Sequence, residues 1–381
     1  MVYLDNAATT FPKPDVVYDA MDKMNREGAV NAGRGSYKLA KDASRLIEET
    51  KELIRRLIYV DISAAVIFAP SVTIAMNQII NGLRLRDKAV VYLSPYEHNA
   101  VARSVHELAK KKRLIVKEIP INSDLEIDLE KMKYEFVKDK PEAVFCTHVS
   151  NVTGYILPVK PIFEESKKYD CVNVLDSAQS MGLVEIRADL MKVDIVAFTG
   201  HKTLYGPLGI GGFVNVSGIP LDVFISGGTG SDSLNLEMPD GKESRYESSS
   251  CNIVAVAGLN AALKDINPEL CMKREKELSD YLIDKLSSIK EIKMYLPRNQ
   301  MHHVGIISLI VEGFNSEDVG IILDEDFDIA VRTGYHCAPF IHKYLKDAGT
   351  LGTVRIGLGQ FSTKEDIDQL IMAITDIVGG N

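Results

Sequence analysis

The sequence has few cysteines and no long hydrophobic run. Its cysteines are Cys146, Cys171, Cys251, Cys271 and Cys337, and no two of them form a Cys-x-x-Cys pair. An odd number without that spacing argues against a disulfide framework and against a zinc site. No apolar stretch approaches the length that a membrane-spanning helix needs. These absences predict reduced thiols, no bound metal and no membrane span.

Positive charge is also scarce, since 44 lysines and arginines stand against 53 aspartates and glutamates, for a formal net charge of −9. This balance argues against a nucleic-acid-binding protein, because little offsets repulsion from phosphates. The first residues lack the basic start and long apolar core of a secretory signal, which predicts a cytoplasmic location. No Gly-x-Gly-x-x-Gly follows the first strand-like segment, so a nicotinamide dehydrogenase is disfavoured.

The chain does contain a regular alternation of short apolar segments with helix-length segments. The apolar segments lie at 65–69, 89–94, 114–119, 143–149, 172–176, 195–199 and 210–216. This alternation predicts an α/β fold, with a mostly parallel seven-stranded sheet covered on both faces. Near residue 250 the pattern changes to that of a smaller α+β domain. We therefore predict an N-terminal arm at 1–14, a large domain at 15–250 and a small C-terminal domain at 251–381.

One lysine stands out against this background. The apolar segment 195–199 ends in Thr199-Gly-His-Lys202, and tight glycine turns follow it. A buried strand that ends in a lysine indicates that the lysine has a chemical task. Asp176 ends the preceding apolar segment, where a carboxylate could pair with a pyridinium nitrogen or could simply cap a helix. Together the two residues predict a pyridoxal phosphate (PLP) site, with Lys202 forming the Schiff base to the aldehyde.

Other polar residues that follow strand-like segments could complete a PLP site. Ser71, Val72 and Thr73 open a helix, where backbone N–H groups bind phosphate well, although a plain helix cap would look the same. Further candidates are Thr199 and His201 for the phosphate, Gln179 for the ring hydroxyl, and His98 for stacking on the ring. As alternatives, Gln179 could be a solvent-facing amide and His98 an ordinary surface histidine.

A third group of residues is suited to an amino-acid substrate. Asn151 could bind a carboxylate or the cofactor, or could form a turn before a glycine. Arg355 is a cation inside a strand-like segment, so it needs either a substrate carboxylate or an internal salt bridge. Cys337 lies in a loop between Arg332 and a proline, and positive charge from Arg332 and His336 would favour its thiolate, as in a nucleophile. The alternative for Cys337 is a structural thiol.

In order along the chain, these motifs resemble the cysteine desulfurases, which belong to the class V aminotransferase group of fold-type I PLP enzymes. The matching segments are Tyr3-Leu-Asp-Asn-Ala-Ala-Thr-Thr10, Ser150-Asn-Val-Thr-Gly154, Asp176-Ser-Ala-Gln179, Thr199-Gly-His-Lys202, Arg332-Thr-Gly-Tyr-His-Cys337-Ala and Arg355. The form of the cysteine segment resembles the group with a short, ordered loop, which includes enzymes related to selenocysteine lyase.

The resemblance implies a role for each candidate. It implies that Lys202 holds PLP and moves the proton at the substrate Cα, and that Cys337 takes the substrate sulfur as a persulfide and leaves alanine. The residues implied to bind the cofactor are Ser71, Val72, Thr73, His98, Asn151, Asp176, Gln179, Thr199, His201 and Ser250. Asn151, Arg332 and Arg355 are implied to bind the substrate. A homodimer with its active site at the interface, and a sulfur-accepting protein, are also implied.

The chain departs from the family at Glu247-Ser-Ser-Ser-Cys-Asn252, where members usually carry Glu-x-Gly-Thr-x-Asn. Ser249 replaces the glycine, which would restrict the backbone if a positive φ is needed there. Three alternatives to a desulfurase stay open on the sequence alone. They are a selenocysteine lyase, a C–S β-lyase that releases pyruvate and ammonia, and a PLP-fold protein that binds a partner without turnover.

Overall fold

A computed structural model describes residues 1–32, 35–230 and 234–379. The strands are β1 (Val2–Tyr3), β2 (Ala65–Ala69), β3 (Val90–Leu93), β4 (Ile115–Glu118), β5 (Ala143–Thr147), β6 (Val172–Asp176), β7 (Ile195–Thr199), β8 (Gly211–Asn215), β9 (Ile292–Tyr295), β10 (Ile306–Val311), β11 (Ile329–Ala330), β12 (Arg332–Gly334) and β13 (Thr353–Gly357). The helices are α1 (Asp15–Glu27), α2 (Lys38–Leu57), α3 (Val72–Gly82), α4 (Asn99–Lys112), α5 (Leu129–Lys138), α6 (Val159–Ser166), α7 (Ile253–Asp265), α8 (Pro268–Leu286), α9 (Ser316–Phe327), α10 (His342–Leu345) and α11 (Lys364–Gly379).

The large sheet has the order β2-β8-β7-β6-β5-β3-β4. Its strands run parallel except β8, which is antiparallel to both of its neighbours. The prediction of a mostly parallel seven-stranded sheet is therefore confirmed. Strand β6 is buried from Asn173 to Asp176 because both faces of the sheet are covered, by one hydrophobic cluster on each side. Strands β5, β6 and β7 are neighbours, so their carboxyl ends lie along one edge of the sheet.

A second sheet, with the antiparallel order β12-β13-β10-β9, follows in the C-terminal part. Its core includes side chains of α8, α9 and α11. Strand β9 was not predicted, because it has only four residues, one of them a lysine, and lies at the edge of the sheet. Helix α7 packs instead against α1 and α2 of the N-terminal part. The division at residue 250 remains a prediction.

The N-terminal arm links the two parts of the chain. Strand β1 pairs in parallel with β11, and Asp5 bridges to Gly357 at the end of β13. The arm then continues towards the turn after β7, where Thr10 N donates to His201 O. It thus connects the C-terminal sheet with the carboxyl edge of the large sheet. Across the three described ranges, no helix combines the length and hydrophobicity needed to cross a bilayer.

Candidate active site

Lys202 and Asp176 lie at the carboxyl ends of the neighbouring strands β7 and β6. Asp176 is buried, and its Oδ1 accepts a hydrogen bond of 3.0 Å from Ala178 N. Burial raises the pKa of Asp176, although that hydrogen bond and the Lys202 cation oppose the rise. Burial lowers the pKa of Lys202 from 10.5 to about 8, against the attraction of Asp176. About a tenth of this lysine is therefore a neutral amine at pH 7, far more than for an ordinary lysine, and only the neutral amine attacks an aldehyde.

The N-terminal arm holds the backbone just before Lys202. The carbonyl oxygen of His201 accepts hydrogen bonds from Thr10 N at 3.0 Å, Thr9 Oγ1 at 3.1 Å and Lys13 Nζ at 2.9 Å. These arm residues were not among the predicted site residues. Thr9 and Thr10 belong to the arm segment that resembles the family, but nothing local in the sequence relates them or Lys13 to His201 O.

The start of α3 and the end of β7 form a corner suited to an anion. Ser71 caps α3, since its Oγ accepts a 3.3 Å hydrogen bond from Ile74 N. The two elements can approach closely because Gly211, which lies between them, has no side chain. A Cβ on Gly211 would lie 3.2 Å from Val72 N and 3.3 Å from Thr199 Cα. Among the described residues, Thr199 Oγ1 and His201 Nδ1 are buried polar atoms without a hydrogen-bond partner.

These groups fit the phosphate of PLP, because a helix start and unpartnered buried donors are what a phosphate requires. Together with Lys202 and Asp176, they would supply groups for the aldehyde, the ring nitrogen and the phosphate of the cofactor. The hydroxyl of Thr73 is less well placed, because the residue is exposed. Its assignment to the phosphate remains a prediction.

His98 lies at the start of α4, directly after the strand β3 region. Its Nδ1 accepts a 3.1 Å hydrogen bond from Ala100 N, so the ring caps the helix. Burial lowers the pKa of His98 to about 4, and the nearby cations Lys202 and Arg355 add to the effect. The ring is therefore neutral at physiological pH, as expected for a side chain that stacks on a cofactor. The stacking itself remains a prediction.

Two further buried polar side chains, Gln179 and Glu97, lie in this part of the structure. Gln179 Nε2 donates to Ala7 O at 2.7 Å, so one of its amide hydrogens is committed to the arm. Glu97 was missed by the sequence reasoning. It is fully buried and accepts hydrogen bonds from Ser94 Oγ at 2.5 Å and Thr147 N at 2.6 Å, and burial raises its pKa to about 8. In the sequence, Glu97 could have been recognised as a candidate from its position directly before His98 and shortly after a strand.

The sequence left two roles open for Arg355, an internal salt bridge and the binding of a substrate carboxylate, and the structure is compatible with both. Its Nη2 forms a 2.7 Å salt bridge with Asp5 of the arm, and its Nη1 donates to Asn151 O at 3.0 Å. Its buried Nε has no hydrogen-bond partner within the described ranges. An internal salt bridge therefore exists, and one donor is still available to a ligand. Arg332 is exposed and lies opposite Arg355 in the β12–β13 pairing.

The Cys337 thiol is exposed, in a loop that follows β12. The backbone carbonyl oxygen of Cys337 accepts a 2.7 Å hydrogen bond from Asn99 N at the start of α4. Asn151 Nδ2 donates to His336 O at 2.7 Å. The expected charge on His336 is not present, because burial lowers the pKa of His336 well below its usual value. A neutral His336 adds no positive charge to favour a thiolate, whereas Arg332 and Arg355 are cations in this region.

The segment 243–252 is held by buried ion pairs. Lys51 Nζ contacts Glu243 at 2.8 Å and Glu247 at 3.0 Å. The same two carboxylates accept hydrogen bonds from the backbone at the free edge of β2, Glu243 from Val66 N and Glu247 from Phe68 N. Ser250 is exposed and lines a cavity of about 920 Å³ between α2, the end of β2 and residues 228–230. Its contact with a cofactor in a second subunit remains a prediction.

Ser249 has a φ of +86°, so the position does require the backbone that a glycine would adopt freely. A residue with a Cβ pays about 1–2 kcal/mol for this conformation. We expect Ser249→Gly to raise the free energy of unfolding by about 1 kcal/mol, as measured by urea unfolding. Ser248→Gly is the matched control, because Ser248 has no positive φ, and it should be destabilising instead. Equal effects of the two substitutions would contradict the assignment of strain to Ser249.

Comparisons with known proteins identify the family. The family described as aminotransferase class-V matches residues 2–370. A relative from Halalkalibacterium halodurans, named probable cysteine desulfurase, is 32% identical over 380 residues, which cover 97% of this chain and 91% of the relative. A relative of the same name from Pyrococcus abyssi is 32% identical, with 99% and 94% covered. The apo structure of a cysteine desulfurase from Thermococcus onnurineus has a TM-score of 0.90 at 28% identity and covers 100% of this chain and 95% of that one. The chain belongs to the class-V aminotransferase family and, within it, to the PLP-dependent cysteine desulfurases.

Proposed function

We propose that this protein converts L-cysteine to L-alanine and holds the released sulfur on Cys337 as a persulfide. The observation that carries the proposal is the pairing of two features at one site. A buried lysine of lowered pKa lies beside a buried aspartate, and an exposed cysteine is held on a loop that contacts Asn151 and the start of α4. Family membership supports the same chemistry.

The site supports PLP binding by residues that are already in place. Lys202 would hold the aldehyde carbon, Asp176 the ring nitrogen, and the corner of Ser71, Val72, Thr199 and His201 the phosphate. Bound PLP supplies an electron sink for the pair left at the substrate Cα. Burial raises the pKa of Asp176, and a protonated ring nitrogen beside it would favour its ionised form.

The chain's own residues would then position the substrate and move its proton. Arg355, with its unpartnered Nε, is suited to a carboxylate, and Asn151 lies beside it. The neutral amine of Lys202 can accept the proton from the substrate Cα and return it to carbon. The arm contacts to His201 O restrict the backbone from which Lys202 extends.

Cys337 would carry the sulfur step. Its thiolate forms an S–S bond with the substrate sulfur while the substrate Cβ–S bond breaks, and the bonding pair stays on carbon, where it is protonated to give alanine. Cys337 is left as a persulfide, which a thiol or an acceptor protein reduces. Cys251 is a poorer nucleophile, because burial raises its pKa to about 11.

Three broader features belong to the same proposal. We infer a homodimer with the site at the interface, since Ser250 and residues 228–230 line an open cavity rather than contacting Lys202 in one chain. We infer a cytoplasmic location, because the cysteines are free. The ordered Cys337 loop favours direct attack of the thiol on the sulfur of a bound substrate. Selenocysteine is an alternative substrate for the same site. We infer that a protein accepts the sulfur from Cys337.

The test is incubation of the purified protein with L-cysteine and a thiol reductant, followed by separate measurement of alanine, sulfide and pyruvate. We expect alanine and sulfide in equal amounts. Pyruvate in place of alanine would overturn the proposal in favour of β-elimination. Turnover of selenocysteine alone would overturn the substrate assignment.

A further inference from the structure

The loop that carries Cys337 has a strained backbone. His336 and Cys337 have φ values of +45° and +57°, in the left-handed region that residues with a side chain disfavour. Each such residue costs about 1–2 kcal/mol, so the conformation persists only where neighbouring groups impose it. Each carbonyl of this turn accepts a hydrogen bond. Asn151 Nδ2 binds His336 O, and Asn99 N binds Cys337 O.

The remaining carbonyl, Tyr335 O, accepts hydrogen bonds from Ala338 N at 3.0 Å and from His342 Nε2 at 2.9 Å. His342 is buried at the first position of α10, five residues after the nucleophile. Its Nδ1 lies 2.5 Å from Oδ2 of Asp347, which is buried as well. The ring is packed edge-on against Tyr335, with centroids 5.0 Å apart, and lies 6.0 Å from His336.

The hydrogen-bond chemistry determines which nitrogen of His342 is protonated. A carbonyl oxygen only accepts, so His342 Nε2 must carry a hydrogen. The Asp347 carboxylate faces Nδ1 and the Tyr335 carbonyl faces Nε2, so a ring that donates from both nitrogens is held between two acceptors and its rotation is fixed. Without Asp347, only the bond to Tyr335 O would orient the ring, which could then rotate away from that carbonyl.

We propose that His342 and Asp347 are positioning residues for sulfur transfer, which hold the Cys337 loop through Tyr335 O. This inference rests on the proposed role of Cys337 as the sulfur acceptor. Loss of the pair frees one side of the turn, lets the strained residues relax and displaces the thiol from the substrate sulfur. A displacement of about 1 Å is enough to slow a reaction roughly 10²-fold. Neither residue contacts Lys202 or the phosphate corner in the described contacts.

The test compares Asp347→Ala, Asp347→Asn, His342→Gln and Lys343→Ala. An asparagine can donate from its amide to Nδ1 and so preserves the Nε2–H tautomer, whereas alanine cannot. Lys343→Ala is the matched control, because the exposed Lys343 lies on the same helix but pairs with Glu118, away from the Cys337 turn. The first readout is hydrogen exchange at the Asn99 amide, whose acceptor is Cys337 O. The second is the rate of Cys337 alkylation by iodoacetamide.

We expect Asp347→Ala and His342→Gln to speed Asn99 exchange and Cys337 alkylation at least tenfold. We expect Asp347→Asn and Lys343→Ala to stay within twofold of the wild type. In the holoenzyme, kcat for alanine formation should fall about 10²-fold in the first two variants, with KM within threefold and the visible absorbance of the bound cofactor unchanged.

Unchanged exchange and alkylation in Asp347→Ala and His342→Gln would overturn the inference, as would Asp347→Asn behaving like Asp347→Ala. If Asp347→Ala fails to fold, the contrast between His342→Gln and Asp347→Asn decides. Exchange and alkylation do not depend on turnover, so a wild type that makes no alanine would refute the proposed function while leaving these two measurements valid for the loop.

Discussion

Replacing Cys337 with alanine is expected to abolish alanine formation from L-cysteine while leaving cofactor binding intact. The thiol is exposed on a loop whose neighbours are the start of α4 and Asn151, so it supplies a nucleophile without supporting the core. Removing a residue that forms a covalent intermediate costs at least about 10³-fold in rate. The measurements are alanine released per unit time and the visible absorbance of the purified variant.

Cys251→Ala is the matched control for this substitution. Cys251 is the other thiol that is not fully buried, but burial raises its pKa to about 11, so it is protonated at neutral pH. We expect this variant to keep wild-type activity. Persulfide detected by mass spectrometry on Cys337 in the wild type, and on no residue in Cys337→Ala, would complete the assignment. Full alanine formation by Cys337→Ala would refute it.

Replacing Lys202 with alanine is expected to remove both the covalent attachment of the cofactor and the base at the substrate Cα. The lysine is held by its neighbours in a state that suits both tasks, with a pKa lowered to about 8. We expect activity to fall by about 10⁴-fold or more and the cofactor to be lost on dialysis. Lys202→Arg should lose as much activity, because a guanidinium keeps the charge but supplies no nucleophilic amine.

The pH dependence of cofactor uptake gives a second measurement on Lys202. Only the neutral amine attacks an aldehyde, and a pKa of about 8 leaves half of the lysine neutral at pH 8. An ordinary lysine would be under about 1% neutral there. The rate at which apoprotein takes up PLP should therefore rise between pH 6 and 9 and level off above that range. A rate that continues to rise steeply beyond pH 10 would contradict the lowered pKa.

Several of these features follow from the sequence because they are local. The strands of the large sheet are short apolar runs, and β6 and β7 are consecutive and parallel, so Asp176 and Lys202 had to meet at one edge of the sheet. Ser249 was identified because the family usually carries a glycine at this place, and its φ of +86° is the backbone that such a glycine adopts. Strand periodicity and turn chemistry depend on neighbouring residues, which a sequence displays directly.

The tertiary structure alone decided the contacts between distant residues. Asp5 pairs with Arg355 across 350 residues, and Lys13 binds His201 O across 188 residues, so no periodic pattern could relate them. The charge on His336 was predicted from its proximity to Cys337 along the chain, but its burial against other elements makes it neutral. The sequence by itself determined which residues can perform the chemistry and at which edge of the sheet. Burial and long-range hydrogen bonds determined their protonation and orientation, because both depend on which surfaces the fold brings together.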